Sequence, residues 1–198
     1  MSHRDILESE LRTFQIELPA DQKFVLARYC DELARWSQKI NLTGLTGAAM
    51  VRRLVIEPVW VGLELHLTGV LADIGSGNGS PAVPLHIISQ LETTHLIEVR
   101  AKRAAFLRHL GGVLGKPGLV VHRARFEDLA AGLGVVDWVT LQGVPLDAPL
   151  LNSIGEVAAP NTTIVWITSA GTTGLEPSRT LEIPVTGSRV LLFRRDQF

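Results

Sequence analysis

One short segment, LADIGSGNGSPAVPL at residues 71–85, constrains the fold of this chain more than any other. An apolar run ends at three glycines, Gly75, Gly77 and Gly79, and a proline, Pro81, follows them. Proline suits the first turn of a helix, because its missing N–H would have no partner there. A buried strand that turns through glycines directly into a helix predicts the start of a parallel βαβ unit.

Strand and helix patterns alternate through the rest of the chain. GVLADI, THLIEV, PGLVVH, VDWVTLQ and TTIVWIT are typical of strands, and AKRAAFLRHLGGVLG is typical of a helix after the second of them. TLEIPV and RVLLFRR, joined through TGS, predict a closing hairpin. We therefore expect an α/β fold, a seven-stranded mostly parallel sheet whose last pair is antiparallel.

The segment before this pattern predicts helices only. We expect residues 1–66 to form a helical N-terminal cap and residues 67–198 to form the α/β domain. Asp21 is the expected N-cap of the first long helix, and Pro58 is expected to interrupt a later one. An apolar stripe with spacings of three and four marks that first helix, at Leu26, Tyr29, Leu33 and Trp36.

Composition narrows the class of protein. Hydrophobic residues make up 46% of the chain, which supports a packed core rather than disorder. Cys30 is the single cysteine, so no internal disulfide forms and a cytoplasmic location is expected. The apolar stretch from Val51 to Leu71 is broken by charged residues and predicts no membrane span. A net charge of −1 gives no support by itself for nucleic-acid binding, although basic residues gather in VRAKRAAFLRH and VHRAR.

The glycine turn is compatible with several ligands. A P-loop needs a lysine after its last glycine, and GNGSPAV has none. Dinucleotide binding is disfavoured, because Ser80 replaces the last glycine of the G-x-G-x-x-G pattern. S-adenosylmethionine fits better, because it has no phosphate and needs backbone without Cβ atoms to lie against. A tight strand-to-helix turn with no ligand also remains open.

Acidic residues follow the strands where such a ligand would need them. Asp73 ends the first strand and can hold the turn or accept a hydrogen bond from the ammonium group of the ligand. Glu98 ends the next strand, where a carboxylate can take the two ribose hydroxyls. After the third strand, Phe126 is placed for adenine stacking, with Glu127 or Asp128 near the adenine amino group.

The histidines show no metal-ligand spacing, and no metal is expected. His86, His95 and His109 are interpreted as helix-end or surface residues.

In the glycine turn and other motifs the sequence resembles the glucose-inhibited division protein B family, which are bacterial 16S rRNA guanine-N7 methyltransferases of the small ribosomal subunit. The most specific matching motif is KINLT, and Pro81 and Pro84 match the two prolines after the glycines of the family. The likeness spans nearly the whole chain, through WSQKINLTGL, the glycine turn, EVRAKRAAFLRHL, ARFEDL and LEIPVTGSRVLLFRR.

This resemblance implies a Rossmann-like class I methyltransferase fold, S-adenosyl-L-methionine as the cofactor and 16S rRNA or the small subunit as the partner. Asn41, and with it Gln142, would lie at the methyl-transfer face, while Lys39 would meet RNA phosphate. Arg100, Lys102 and Arg103 would also bind substrate. The implied cofactor-binding residues are Asp73, Gly75, Ser76, Gly77, Gly79, Glu98, Val99, Arg125, Phe126 and Glu127.

Methylation of guanine N7 is an in-line displacement at the sulfonium methyl group. The N7 lone pair is free at neutral pH, so the reaction needs positioning and electrostatics but no general base.

A monomer that binds neither membrane nor metal is expected.

The chain departs from the family pattern at several positions. Ser80 and Ala82 replace an aromatic residue and a glycine, and Arg53 lies nearest to a histidine of the family. Leu141, Gln142 and Gly143 stand where the family has serine, arginine and alanine. Two alternatives therefore stay open: a cofactor- or RNA-binding member without methyl transfer, and a methyltransferase for a small metabolite.

Overall fold

The computed structural model describes residues 2–168 and 175–197 of the chain. Its helices are α1 His3–Thr13, α2 Ala20–Ser37, α3 Gly47–Val51, α4 Glu57–Leu65, α5 Ala82–Ile88, α6 Ala101–Leu114, α7 Ala130–Leu133 and α8 Ala148–Val157. A π-helical turn, Arg52–Ile56, joins α3 to α4, and a 3-10 turn follows at Arg195–Gln197. The strands are β1 Thr68–Ile74, β2 Gln90–Ile97, β3 Leu119–His122, β4 Val136–Gln142, β5 Ala158–Thr168, β6 Arg179–Glu182 and β7 Arg189–Arg194.

These strands form one seven-stranded sheet in the order β3-β2-β1-β4-β5-β7-β6. All neighbours are parallel except β7, which runs antiparallel to both β5 and β6. The expected fold class and the closing hairpin are thereby confirmed. Strand order reverses between β1 and β4, and in open α/β sheets a ligand crevice lies outside the carboxyl ends of the strands at such a point.

Each face of the sheet has its own apolar core. One core joins the N-terminal helices to α5 and α6, and includes Leu26, Leu33 and Phe106. The other lies under α7 and α8, and includes Phe126 and Ile154. Because α2 packs against α5 and α6, the N-terminal helices share a core with the sheet. The boundary at residues 66 and 67 stays a prediction.

The helix starts differ from expectation in two places. Pro19, and not Asp21, is the N-cap of α2, so the expected cap was wrong. Asp21 lies in the first turn of α2 instead, where its charge still favours the helix N-terminus. The later helical stretch is indeed interrupted, but the π turn lies before Pro58, which occupies the first turn of α4.

Strand β2 begins at Gln90, four residues before the expected THLIEV segment, because residues from Gln90 onward already pair with β1 from Thr68. Across the described residues, no helix combines the length and the apolar character that crossing a bilayer needs.

His86 lies in the last turn of α5, which agrees with its interpretation as a helix-end residue, but it is not at the surface. Its ring is buried in α5, Nδ1 lies 2.9 Å from the Thr94 hydroxyl, and Nε2 lies 2.8 Å from the carbonyl oxygen of Pro117. This histidine ties α5 to β2 and to the segment before β3, and burial lowers its pKa.

Candidate active site

The site is built on the glycine loop, residues 75–79, which connects β1 to α5. Gly75, Gly77 and Gly79 have φ angles of +76°, +50° and +92°, a region that side chains with a Cβ rarely enter. The N–H groups of Gly75 and Ser76 both donate to the carbonyl oxygen of Ile97, at 2.9 and 3.0 Å. The loop therefore curls back over the end of β2.

Glu98, the residue after β2, fixes the loop from below. One carboxylate oxygen accepts from the N–H of Gly77 at 3.1 Å, and the other accepts from the N–H of Arg100 at 2.8 Å. Glu98 is buried, and both of these bonds are charge-assisted. A single carboxylate thus couples the glycine loop to the start of α6.

A third contact comes from the N-terminal helices. The buried Tyr29 of α2 donates its hydroxyl hydrogen to the carbonyl oxygen of Asn78 at 3.0 Å. Asn78 in turn accepts from the N–H of Ser80 through its side-chain oxygen, at 2.9 Å. The helices before the sheet therefore help to shape the loop.

Asp73 lies beneath the loop at the end of β1 and is 1% exposed. Its Oδ1 accepts from the Thr140 hydroxyl at 2.6 Å, whereas its Oδ2 is buried without a hydrogen-bond partner among the described residues. Burial raises the pKa of Asp73 to about 6, against the lowering effect of the Thr140 bond. An unpartnered buried carboxylate oxygen is costly and fits a cationic ligand group.

A cleft of about 520 Å³ opens beside the loop, at the carboxyl ends of β1, β4 and β5. The predicted residues Gly75, Ser76, Gly77, Arg103 and Gln142 line it. Its other lining residues are Leu42, Leu45, Arg53, Leu54, Asn78, Ser80, Gly143, Val144, Pro145, Trp166, Ile167 and Thr168.

A buried ion pair borders the cleft. Nη1 of Arg53 lies 2.6 and 2.5 Å from the carboxylate oxygens of Glu57 and 2.5 Å from the hydroxyl of Ser188. Glu57 is fully buried, and burial raises its pKa, opposed by the charge of Arg53. Ser188 belongs to the turn between β6 and β7, so this pair links the π turn to the end of the sheet.

A second depression, the basic groove, is lined by Lys39, Ile40, Asn41, Arg100, Ala101, Lys102 and Arg103. All four residues predicted to bind substrate line it, and Arg103 lines the cleft as well. Nη2 of Arg103 donates to the backbone oxygen of Asn41 at 3.1 Å, which fixes the KINLT segment against α6. Asn41 itself lines the groove and is absent from the residues lining the cleft.

Several predicted cofactor-binding residues are not among those lining the cleft: Asp73, Gly79, Glu98, Val99, Arg125, Phe126 and Glu127. Arg125 and Glu127 are exposed after β3, and Val99 is half exposed at 52%. Phe126 is 2% exposed and belongs to the core under α7 and α8, so its ring has no open face for adenine in this conformation. Adenine stacking on Phe126 stays a prediction.

Sequence reasoning missed several parts of this site. Arg53 and Glu57 are four residues apart, a spacing that brings helical side chains together and could have indicated the pair. Trp166 lies near the carboxyl end of a strand that the sequence did predict, where side chains border the crevice. The Tyr29 bond to Asn78 joins residues 49 positions apart, and no local pattern signals it.

Known proteins are similar to this chain in sequence. The family model described as rRNA small subunit methyltransferase G (GidB) matches residues 22–168. A ribosomal RNA small subunit methyltransferase G from Halorhodospira halophila is 33% identical, over 80% of this chain and 75% of that protein. One of the same name from Roseiflexus is 32% identical, over 79% and 72%. That from Geobacter metallireducens is 28% identical, over 79% and 75%.

Solved structures share the fold. An RNA methyltransferase from Salinibacter ruber in complex with S-adenosyl-L-homocysteine is 22% identical with a TM-score of 0.53, over 69% of this chain and 88% of that one. The C-terminal domain of precorrin-6Y C5,15-methyltransferase from Rhodobacter capsulatus is 17% identical with a TM-score of 0.54, over 79% and 95%. At these identities the likeness establishes the fold only. The extent of the family match is decisive: this chain belongs to the rRNA small subunit methyltransferase G family.

Proposed function

We propose that this protein is an S-adenosyl-L-methionine-dependent methyltransferase that modifies guanine N7 in 16S rRNA of the small ribosomal subunit. The observation that carries the proposal is the junction at Arg103, which lines both the glycine-loop cleft and the basic groove. A cofactor in the cleft and RNA in the groove would meet there. Family membership supplies the reaction class.

The residues present fit this cofactor. The unpartnered Oδ2 of Asp73 offers an acceptor for its ammonium group. Gly75 and Gly77, both with positive φ, bring bare backbone to the cleft, and a Cβ on Gly75 would lie 2.7 Å from a methyl carbon of Val144. Glu98 stands at the end of β2, where the ribose hydroxyls of a nucleoside would lie.

Methyl transfer to guanine N7 requires the protein to position the two reactants and does not require acid–base catalysis. When bound, S-adenosyl-L-methionine supplies an electrophilic methyl carbon on a sulfonium. The chain's own part is to hold guanine N7 in line with that carbon: N7 donates its lone pair, the C–N bond forms as the C–S bond breaks, and no proton is removed. The cations of the groove, Lys39, Arg100 and Lys102, hold the RNA phosphates. Gln142 lines the cleft and can contact the target base.

The test is incubation of the purified protein with unmethylated small subunits and methyl-labelled cofactor, followed by mapping of the modified base. We expect one guanosine in 16S rRNA to gain an N7 methyl group. Cofactor binding without incorporation into any substrate would favour the non-catalytic alternative. Methylation of small metabolites but not of subunits would favour the other.

Glu98→Gln checks the cofactor assignment in the same assay. The amide replaces an acceptor oxygen with a donor facing a backbone N–H, so we expect cofactor affinity to fall by about 10-fold or more. Glu92→Gln is the matched control, because Glu92 is exposed on the same strand. Equal affinity for the two variants would contradict the role of Glu98.

The monomeric state and the cytoplasmic location belong to the proposal as well. Light scattering of the purified protein and fractionation of cells are the measurements that check them.

A further inference from the structure

We infer that Arg53 is a specificity-determining residue, whose guanidinium donates hydrogen bonds to an acceptor oxygen of the target nucleotide in the cleft. This inference rests on the proposed function, because it concerns the substrate of the same site. It starts from the charges that line the cleft. Arg53 and Arg103 are the charged residues among those that line it.

The guanidinium of Arg53 is held in place from one side only. Nη1 makes the contacts to both Glu57 oxygens and to Ser188. Among the residues that the structure describes, Nε and Nη2 have no hydrogen-bond partner, and the side chain is 30% exposed. A fixed cation with unused N–H groups at the edge of a cleft is preorganised for an acceptor on a ligand.

Glu57 explains why the cation stays fixed. A buried carboxylate is expensive unless it is paired, so withdrawal of Arg53 would leave Glu57 uncompensated. Leu42, Leu54 and Trp166 line the same cleft, and their apolar surface reduces competition from water. Target binding can therefore rely on Arg53 without first ordering it.

Arg52 lies next to Arg53 in the same π turn and allows a direct comparison of the two arginines. Arg52 forms an ion pair with Glu10 at 2.8 and 3.0 Å and lies over the ring of Phe14. It does not line the cleft. Arg52 and Arg53 have the same charge and the same kind of partner, but only Arg53 faces the site.

Arg53→Lys is the decisive variant. A lysine keeps the charge beside Glu57, but its three donors are used up by the two carboxylate oxygens and Ser188, so none is left for the target. We expect kcat/KM for unmethylated subunits to fall by about 10- to 100-fold, and the affinity for those subunits to fall in parallel, because bonds from a charged donor are lost. Cofactor affinity, measured by calorimetry without RNA, stays unchanged. Arg52→Lys stays within about twofold of the unsubstituted protein in all three measurements.

Salt dependence identifies the acceptor. If Arg53 contacts a phosphate, Arg53→Lys lowers the slope of log affinity against log salt by about 1, whereas a base oxygen leaves the slope unchanged. An unchanged slope with lower affinity agrees with the inference, whereas a lower slope would place Arg53 on a phosphate, which positions the RNA without specifying a base, and would contradict its role in specificity.

Folding is checked by thermal unfolding of each variant. If Arg53→Lys is unstable, the double variant Arg53→Gln with Glu57→Gln removes both charges, so that no unpaired carboxylate is buried, and the same losses are expected. Subunit affinity and turnover within twofold of the unsubstituted protein would overturn the inference, and so would an equal loss of cofactor affinity. An unsubstituted protein without methyl transfer would refute the proposed function instead, and the subunit affinities would still test Arg53.

Discussion

The cleft has two walls of different construction. The glycine loop is held by hydrogen bonds from three other parts of the fold: the end of β2 at Ile97, the carboxylate of Glu98, and the hydroxyl of Tyr29. The facing β4–α8 loop, residues 143–147, is held by fewer described bonds. Trp166 donates to the carbonyl oxygen of Val144 at 3.1 Å, and Asp147 caps α8.

This difference separates the two tasks of a group-transfer site. The loop that must fit one cofactor has most of its backbone groups committed, so its shape is preformed and costs little to order on binding. The β4–α8 loop has exposed residues, Gly143 and Pro145, and few bonds, which suits a surface that adapts to a large RNA partner.

The largest expected difference between the two walls comes from replacing one glycine in each by alanine. Gly75→Ala places a Cβ at φ +76° and 2.7 Å from Val144, whereas Gly143→Ala has φ +70° and nothing within 4 Å. Both substitutions cost about 1–2 kcal/mol of backbone strain, and Gly75→Ala adds about 1–3 kcal/mol of overpacking. Chemical denaturation should rank the variants in that order, with cofactor affinity lost only in Gly75→Ala. Equal destabilisation by the two substitutions would contradict the close approach of the walls.

The free energy of unfolding should also depend on pH, through Asp73 beneath the glycine loop. The expected change is similar in size to the effects of the glycine substitutions. Burial raises the pKa of Asp73 to about 6 from 3.8, so the folded protein binds this proton more tightly than the unfolded chain does. The free energy of unfolding therefore decreases as pH rises from about 4 to about 6, by up to about 3 kcal/mol, and is level above that range. Asp73→Asn should remove this decrease in urea titrations at several pH values.

The pH dependence of cofactor binding should report the ionisation of the same Asp73 carboxyl group. Because an ammonium group favours the charged form of Asp73, cofactor affinity should rise between pH 5 and pH 7 in the unsubstituted protein and stay flat in Asp73→Asn. Parallel pH profiles for the two proteins would refute the pairing of Asp73 with the cofactor.

The smallest expected effect comes from removing one hydrogen bond per wall. Tyr29→Phe and Trp166→Phe each lose a single donor to a loop carbonyl and should cost about 0.5–1.5 kcal/mol of stability, apart from the change in ring size at Trp166. Tyr29→Phe should weaken cofactor binding, whereas Trp166→Phe should lower turnover on subunits without changing cofactor affinity. If both variants changed the same constant, the assignment of one task to each wall would be wrong.

Much of this architecture was readable from local patterns. The strand VDWVTLQ coincides with β4, and GVLADI differs from β1 by one residue, because buried parallel strands are short apolar runs bounded by turn residues. The glycine loop was found through three glycines in five residues, and all three have positive φ. Glu98 was placed by its distance from the loop along a βαβ unit.

Other parts of the site had no such signal. The start of β2 was missed because Gln90–Thr93 is polar on its exposed side and takes strand form through pairing with β1. Tyr29 was assigned to an apolar stripe, which is correct, but a stripe does not reveal that its hydroxyl reaches Asn78. His86 was interpreted as a helix-end or surface residue; it does lie in the last turn of α5, but only the fold supplies the buried partners of both ring nitrogens.

The sequence by itself determined the alternation of strands and helices, the glycine turn, and the acids at the strand ends, because these depend on spacing along the chain and on which residues tolerate a given backbone. Tertiary structure decided which of these side chains share a cleft, and it brought in Arg53, Glu57 and Ser188 from distant segments. It also left Oδ2 of Asp73 buried and unpartnered. Burial and hydrogen-bond partnership depend on packing between elements, and no local sequence pattern specifies that packing.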